Sequence, residues 1–487
     1  MTSRLGRTGV LALAALGVAL IAVSLGTVGA LGAIGMVALI LSAYPFLRAL
    51  PGKQLDPFEP IYLFVVYLAL TMFARGLLDL TFGSPLLDPV LDTRSVQFRQ
   101  LMGLVFGYSC LFLLALYVGY YSRLGELVTR PLPRIPTIHL SKRYVWGLGV
   151  LSLLMSGFAA WVLYGRIGGA VEVGEFFAAT RQGGVYWAAY CLRFALVGGV
   201  IAYAHASQTT GRRGMLLTAG YAMLVGLGMF LFFPTKGTIA NVILALLVCT
   251  HYLRRRVGIG TLVGALLLGL FLLPLLMVYR NLGLQPGQIV AMAKSLPGNP
   301  WLMTRGLIER TYGADSFAMI LDTTARTGHF EFGRTFLDMF WWYVPRALWP
   351  QKPLTYSIEF GQTFLSQSGF YRGRSVSASP SLIGELYLNF SWPGILLGGL
   401  ITGIVLRGAY VFFVRRGKNS LAVVLYGIWL AGCVGAVEGP LADHIEDTFI
   451  TFVIAGLLLL LANVAFPNAA RDPRAGQPRL GTATHEP

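Results

Sequence analysis

Charged residues are scarce in this chain. Asp, Glu, Lys and Arg make up 12% of its 487 residues, against ~25% in an ordinary soluble domain, which excludes a water-soluble fold for most of the sequence. Acidic residues are the scarcer kind, 21 against 38 Lys and Arg. Cysteine occurs four times, as Cys110, Cys191, Cys249 and Cys433. Each lies in an apolar run without a C-x-x-C partner, so they read as small buried hydrophobes rather than a zinc site or disulfide framework. The six histidines are scattered, with no H-E-x-x-H. There is no Walker A string, which excludes a P-loop ATPase. There is no Asp-x-Asp, the metal-holding motif of nucleotide-sugar glycosyltransferases, and no metal or cofactor is expected. No nucleic-acid motif and no convincing cleavable leader is present.

What the chain has is apolar length. It is 55% hydrophobic with a mean hydropathy of +0.67. Runs of ~17–25 apolar residues mark membrane-spanning helices. Twelve are expected, near 8–26, 28–47, 60–82, 99–121, 144–165, 187–205, 214–233, 237–253, 258–279, 382–406, 420–437 and 446–466. The fold class is therefore all-α and polytopic. Nine helices occupy 1–279, a large loop occupies 280–381, three helices occupy 382–466, and 467–487 is a disordered tail.

Lys and Arg orient these spans. With the N-terminus inside, the inner segments hold runs such as Arg130/Arg134, Lys142/Arg143, Arg212/Arg213, Arg254/Arg255/Arg256 and Arg415/Arg416/Lys418. The short outer loops hold only Arg94, Arg99, Arg166, Arg181 and Lys236. Both termini are then cytoplasmic. The net charge of +17 mostly faces anionic lipid.

The 280–381 loop lies outside and carries ten basic and six acidic residues. That excess fits an anionic partner, or the ordinary charge mix of a solvated domain. Apolar residues recur at helical spacing around Phe317, Ile320 and Leu321, and around Phe336, Met339, Phe340 and Tyr343. They predict a cap of short amphipathic helices on the membrane, with Trp301, Trp341, Trp342 and Trp349 at headgroup level or stacked on sugar rings. Residues 166–186 predict another interfacial helix.

Charges inside the membrane carry the functional reading, because each is costly there. Arg75, Arg193, Lys236, Arg280 and Glu385 all fall in the outer half, which predicts a shared polar cavity open to the outside. Arg407 is read as snorkelling inward. In SASPSLIGELYLNFSWPGILLGG, 377–399, the residues Ser381, Glu385 and Asn389 are four apart and share a helix face, while Tyr387 points elsewhere. Ser379 and Pro380 read as an N-cap and first helical residue. Capping and packing is the competing account of Glu385. The acidic string EGPLADHIED, 438–447, reads as a solvated turn or, through Asp443 and His444, as a second source of a general base.

PRALWPQKP followed by SPSLIGELYLNFSWPGILLGGLITGIVLR resembles the late region of bacterial oligosaccharide repeat-unit polymerases, the Wzy-type O-antigen polymerases. FFPTKGTIANVILALL (232–247), LLMVYRN (275–281) and QLDPFEPIYLF (54–64) follow the same pattern in a compatible order. The resemblance implies a GT-C-like fold and growth of a surface polysaccharide on undecaprenyl-pyrophosphate-linked donor and acceptor, without nucleotide sugar. It implies partners in the same pathway, a flippase and a chain-length regulator. Carried over, it makes Glu385, Arg280 and Arg346 catalytic, and Lys352, Lys236, Tyr387 and Asn389 substrate-binding; Arg193, Arg75, Asp443 and His444 join the substrate-binding set from their positions in the sequence alone. The family often has Gly after the Phe of G-E-x-Y-x-N-F, where this chain has Ser391. Two other classes stay open. One is an O-antigen ligase or other polyprenyl-phosphate-dependent glycosyltransferase, for which His329 and His444 are the histidines to consider. The other is a transporter of lipid-linked glycans.

Overall fold

The computed structural model describes residues 31, 34, 35, 37–49, 55–83, 92, 95–136, 142–167, 191–232, 236–258, 260–262, 264, 265, 311–341, 344, 348–353, 356–365, 380–417 and 419–465. Among them there is helix and no strand. In chain order the helices are α1 (Val37–Ala49), α2 (Pro60–Phe82), α3 (Val96–Tyr121), α4 (Leu124–Thr129), α5 (Lys142–Ile167), α6 (Arg193–Thr209), α7 (Arg212–Phe232) and α8 (Lys236–Leu253). Then follow α9 (Gly313–Thr327), α10 (Arg334–Trp341), α11 (Tyr356–Phe360), α12 (Leu382–Arg416), α13 (Ser420–Gly435) and α14 (Leu441–Ala465).

Five segments are long and apolar enough to cross a membrane: Pro60–Phe82, Val96–Tyr121, Lys142–Val162, Leu382–Arg416 and Leu441–Leu461. The chain is thus a helical, multi-pass membrane protein. The expected spans near 187–205, 214–233, 237–253 and 420–437 also form helices. The expected span 8–26, most of 258–279, the 166–186 helix apart from the end of α5, and the 467–487 tail lie outside the described residues.

Sequence accounts for the helix ends and the tightest packing. Ser95 caps α3, its hydroxyl accepting from Phe98 N–H at 3.1 Å, and Asn419 caps α13, accepting from Ala422 N–H at 2.8 Å. Such caps satisfy amides that have no partner in the helix. α3 and α12 touch backbone to backbone. A Cβ at Gly403 would lie 2.2 Å from the Leu116 carbonyl oxygen, and one at Gly119 2.2 Å from that of Leu400. The string Gly399-x-x-x-Gly403 therefore acts as a small-residue seam, the usual device where no hydrophobic force drives helices together in lipid.

Two apolar cores form. One joins α2, α3, α9 and α12 through Phe64, Phe106, Phe317 and Ile395; the other joins α6, α8, α13 and α14 through Val197, Val248, Tyr426 and Leu458. The Asp56-Pro57-Phe58-Glu59-Pro60 turn ties them together. Asp56 accepts from the hydroxyls of Tyr252 and Tyr410, each at 2.7 Å, and Glu59 from that of Tyr120 at 2.6 Å. Arg407 bonds Glu126 at 2.7 Å and Glu59 at 3.4 Å. It is a cross-tie between α4, α12 and this turn rather than a side chain snorkelling to water.

The loop helices expected around Phe317 and Phe336 are present as α9 and α10. α9 does not lie on the surface: Ala314, Phe317, Ala318 and Ile320 are fully buried against α2, α3 and α12. α14 begins at Leu441, earlier than expected. Asp443, Glu446 and Asp447 therefore occupy its first turns, where the helix dipole favours acidic groups, instead of an open loop.

Candidate functional site

The string carrying Glu385 forms a half-helix. Ser381 is its cap, with φ 59° and a hydroxyl accepting from Gly384 N–H at 3.2 Å. The cap is two residues later than Ser379, and Pro380 precedes it. The helical geometry stops at Phe390 (φ −137°, ψ 17°) and Ser391 (φ 55°, ψ −151°) and resumes beyond. Pro393 has no N–H to offer the Asn389 carbonyl, which is the sequence reason for a break here. Residues 382–389 are thus a short piece of α12 set apart from the long span.

Neighbouring segments hold this piece at both ends. Leu382 N–H donates to the Val437 carbonyl at 3.1 Å, and Glu331 N–H to that of Leu388 at 3.0 Å. Glu385 and Asn389 face the same way, as their spacing predicts. Gly333 N–H donates to Asn389 Oδ1 at 2.8 Å, which fixes the amide's orientation. Asn389 Nδ2 then donates to Thr335 Oγ1, and Thr335 Oγ1 to Glu385 Oε1, both at 2.8 Å. Leu441 N–H donates to Glu385 Oε2 at 2.7 Å. Both carboxyl oxygens are thus hydrogen-bonded, one to a side chain and one to a backbone amide. Glu385 is fully buried. No Lys or Arg among the described residues pairs with it.

Backbone strain gathers on the same frame. Among the described residues, three non-glycine residues have positive φ: Phe332 (46°), Ser381 (59°) and Ser391 (55°). Ser381 and Ser391 bracket the half-helix, and Phe332 lies between the two residues whose amides bond it. Such conformations cost ~1–3 kcal/mol each and persist where the surroundings over-determine them, which is common at functional sites.

Of the other residues singled out by sequence, Asp443 lies near enough to Glu385 to act on its charge, while Arg75 and Arg193 pair elsewhere. Arg75 is buried and bonds Asp79 at 2.9 Å and Asp315 of α9 at 2.8 Å. Arg193 bonds Asp447 at 2.9 Å. Arg75 and Arg193 thus each sit in an ion pair of their own rather than beside Glu385. Tyr387 points away from Glu385 into a group of rings, with Tyr108, Phe317 and Phe330 at centroid distances of 5.3, 5.8 and 6.0 Å. His444 fits between Gly435 and Gly439; a Cβ at Gly439 would lie 2.0 Å from its Nε2. Asp443 is half-buried one residue before it. Lys352 Nζ donates to the Val344 carbonyl at 3.2 Å. Lys236 opens α8, its side chain outside the description, and Arg280 and Arg346 lie outside the described residues.

Sequence reasoning missed Thr335 and Asp338, and read Glu438 only as part of an acidic turn. Asp338 accepts from Tyr356 N–H at 2.8 Å. Burial pushes its carboxyl above the usual carboxylate range, against the lowering effect of that amide. Glu438 accepts from Tyr312 N–H at 2.9 Å and from the Tyr67 hydroxyl. A signal was available for the first two: Thr335 and Asp338 are three apart in an aromatic helix, a polar stripe on one face. No group of three His, Cys, Asp or Glu among the described residues is placed to hold a metal ion.

No family model, curated protein or solved structure matches the chain. The Glu385 network, built from α10, the half-helix and the start of α14, is the strongest candidate site on the residues alone.

Proposed function

We propose that this protein is a glycosyltransferase that polymerises undecaprenyl-pyrophosphate-linked oligosaccharide repeat units into a surface polysaccharide at the outer face of the bacterial cytoplasmic membrane. The observation that carries the reading is the oriented, buried carboxylate of Glu385 on a broken membrane helix. The motif order from T-K-G through P-R-x-L-W-P-x-K-P to G-E-x-Y-x-N-F supports it. So does the break itself: position 391, where the resembled pattern often has Gly, has a backbone conformation that suits Gly far better than Ser.

The chemistry follows from charge. The donor's anomeric carbon is bonded to pyrophosphate. An acceptor hydroxyl attacks that carbon, its proton passes to Glu385, the C–O bond to the acceptor forms, and the electron pair of the broken C–O bond leaves on the pyrophosphate. A single displacement inverts the anomeric centre. Arg280, Arg346 and Lys352 are the cations assigned to the leaving group; losing one such donor costs ~3 kcal/mol of barrier, or ~10²-fold in rate. Glu385 already accepts on both oxygens, so the acceptor hydroxyl takes the place of the Thr335 hydroxyl on Oε1. α10 must shift for turnover.

The broken helix also favours a second reading, a transporter of lipid-linked glycans, since transporters build sites at such breaks. Purified protein in detergent, incubated with lipid-linked repeat units and a chelator, separates the two. A ladder of polymer is expected without nucleotide or added metal. Unchanged repeat units, with transport seen in sealed vesicles, would select the transporter.

A further inference from the structure

Helix α10 is built inside out. Its buried face carries Thr335 and Asp338, 1% and 7% exposed, while Leu337 and Phe340 are 44% and 61% exposed. Phe332, on the turn before it, is 80% exposed and held with φ 46°. A helix on a water-facing domain shows the opposite arrangement, apolar inward and polar outward. The inward polar groups are accounted for: Thr335 bridges Asn389 and Glu385, and Asp338 accepts from Tyr356 N–H. The outward apolar groups have no such account within the packing described.

Continuity indicates what covers them. The Phe336 ring stacks on Phe390 at 6.3 Å between centroids. A Cβ at Gly333 would lie 3.2 Å from the same ring. From Phe390 the exposed face of α12 continues through Trp392, Leu397, Ile401 and Val405. The last three are four apart and form one stripe on a helix long enough to cross a membrane. The apolar face of α10 is the end of that stripe. On the outward side charge is confined to the start of the helix, where Arg334 bonds Glu331 at 2.5 Å and Glu359 at 2.9 and 3.1 Å. An apolar face continuous with a spanning surface and edged by charge at one end is the pattern of a helix at the lipid interface.

We propose that α10 is immersed in the bilayer leaflet at the Glu385 end of the molecule, its aromatic face in lipid and its polar face on Glu385. Lipid is then the phase directly behind the Thr335–Glu385 bond. A molecule carried in the leaflet reaches that network sideways, by displacing one short helix. The placement holds for an enzyme and for a transporter alike, so its test does not depend on activity.

The full chain, reconstituted in lipid nanodiscs with the four native cysteines replaced by alanine, is spin-labelled at Phe340→Cys. Leu397→Cys serves as the lipid-facing reference and Arg326→Cys, whose native side chain is 63% exposed, as the aqueous one. Collision with oxygen, which partitions into lipid, and with a water-soluble nickel chelate is measured at each. Phe340→Cys is expected to match Leu397→Cys, with a several-fold excess of oxygen over chelate contact. A chelate response like that of Arg326→Cys overturns the proposal. So does insensitivity to both reagents, the result of burial against a second copy or another part of the chain. A second measurement uses the unaltered sequence: phosphatidylcholine with a photoactivatable acyl chain, followed by peptide mapping. Adducts at residues 336–340 are expected. Adducts along residues 397–405 with none on α10 overturn the proposal.

Discussion

The Thr335 hydroxyl donates to Glu385 Oε1 at 2.8 Å across fifty residues of sequence. Because Asn389 Nδ2 occupies one lone pair of the same hydroxyl, the Thr335 hydrogen is directed at the carboxylate. Thr335→Val keeps the shape and removes both roles. It leaves a buried carboxylate oxygen and an amide hydrogen without partners, a loss of ~1–3 kcal/mol. A lower melting temperature in detergent is expected for Thr335→Val and near-native melting for Thr335→Ser. Equal melting of wild type and Thr335→Val would show that the bond contributes nothing.

Ser391 has φ 55° and ψ −151°, a region populated almost only by glycine. Ser391→Gly relieves that strain and is expected to raise stability, by up to ~1 kcal/mol after the extra freedom glycine gains in the unfolded chain. Ser391→Ala keeps the strain and is expected to be near neutral. A drop in melting temperature for Ser391→Gly would mean that the Ser391 side chain makes a contact worth more than the strain.

Helices were legible in the sequence where local chemistry decides them. Apolar length marked α2, α3 and α12, and the spacing of Phe317, Ile320 and Leu321 marked α9. The shared face of Glu385 and Asn389 followed from helical periodicity. Tertiary pairing was not legible. Nothing local shows that Arg75 meets Asp315, or that Glu385 is closed by Thr335 and the Leu441 amide, because those partners arrive from distant segments. Arg407 was misread for the same reason: its position near a span end suits snorkelling, and only the fold brings Glu59 and Glu126 to it. The cap of the half-helix was misplaced by two residues because Ser379-Pro380 and Pro380-Ser381 both offer a serine beside a proline.

Asp338 supplies a pH test. Its folded pKa is raised by burial, so the folded state disfavours the charged form. Its contribution is fully present below the unfolded pKa, ~3.9, and is lost as pH rises through the raised folded value. An asparagine at this position cannot ionise and still accepts from Tyr356 N–H. Asp338→Asn is therefore expected to gain stability relative to wild type as pH rises, measured as the difference in melting temperature across a pH series. A constant difference would show that Asp338 ionises without penalty.

Loop charges predict that the α9 end of the molecule lies outside and the α4 end inside. A cysteine replacing Arg326 is expected to react with a membrane-impermeant thiol reagent on intact cells. One replacing Arg130, just after α4, is expected to react only after permeabilisation. The reverse labelling would turn the Glu385 end to the cytoplasm and remove the polymerase reading, since the lipid-linked repeat units would be on the other side.

Glu385→Gln tests the carboxylate directly. The carbonyl of the introduced glutamine takes the Leu441 N–H, and its amide nitrogen faces Thr335 Oγ1. That oxygen has lone pairs for both Asn389 and the new amide when its own hydrogen turns away. The lock therefore survives in altered form while the basic group is gone. Polymer formation is expected to fall ~10²–10⁴-fold, the usual contribution of a general base, with protein level in the membrane unchanged. The loss belongs in kcat rather than in lipid-substrate binding. Normal polymerisation at wild-type protein level would move the base to Asp443 or His444 at the start of α14. Loss of the protein from the membrane would assign Glu385 to the lock alone, for in that case the bonds from Thr335 and Leu441 do not tolerate the exchange of one oxygen for an amide.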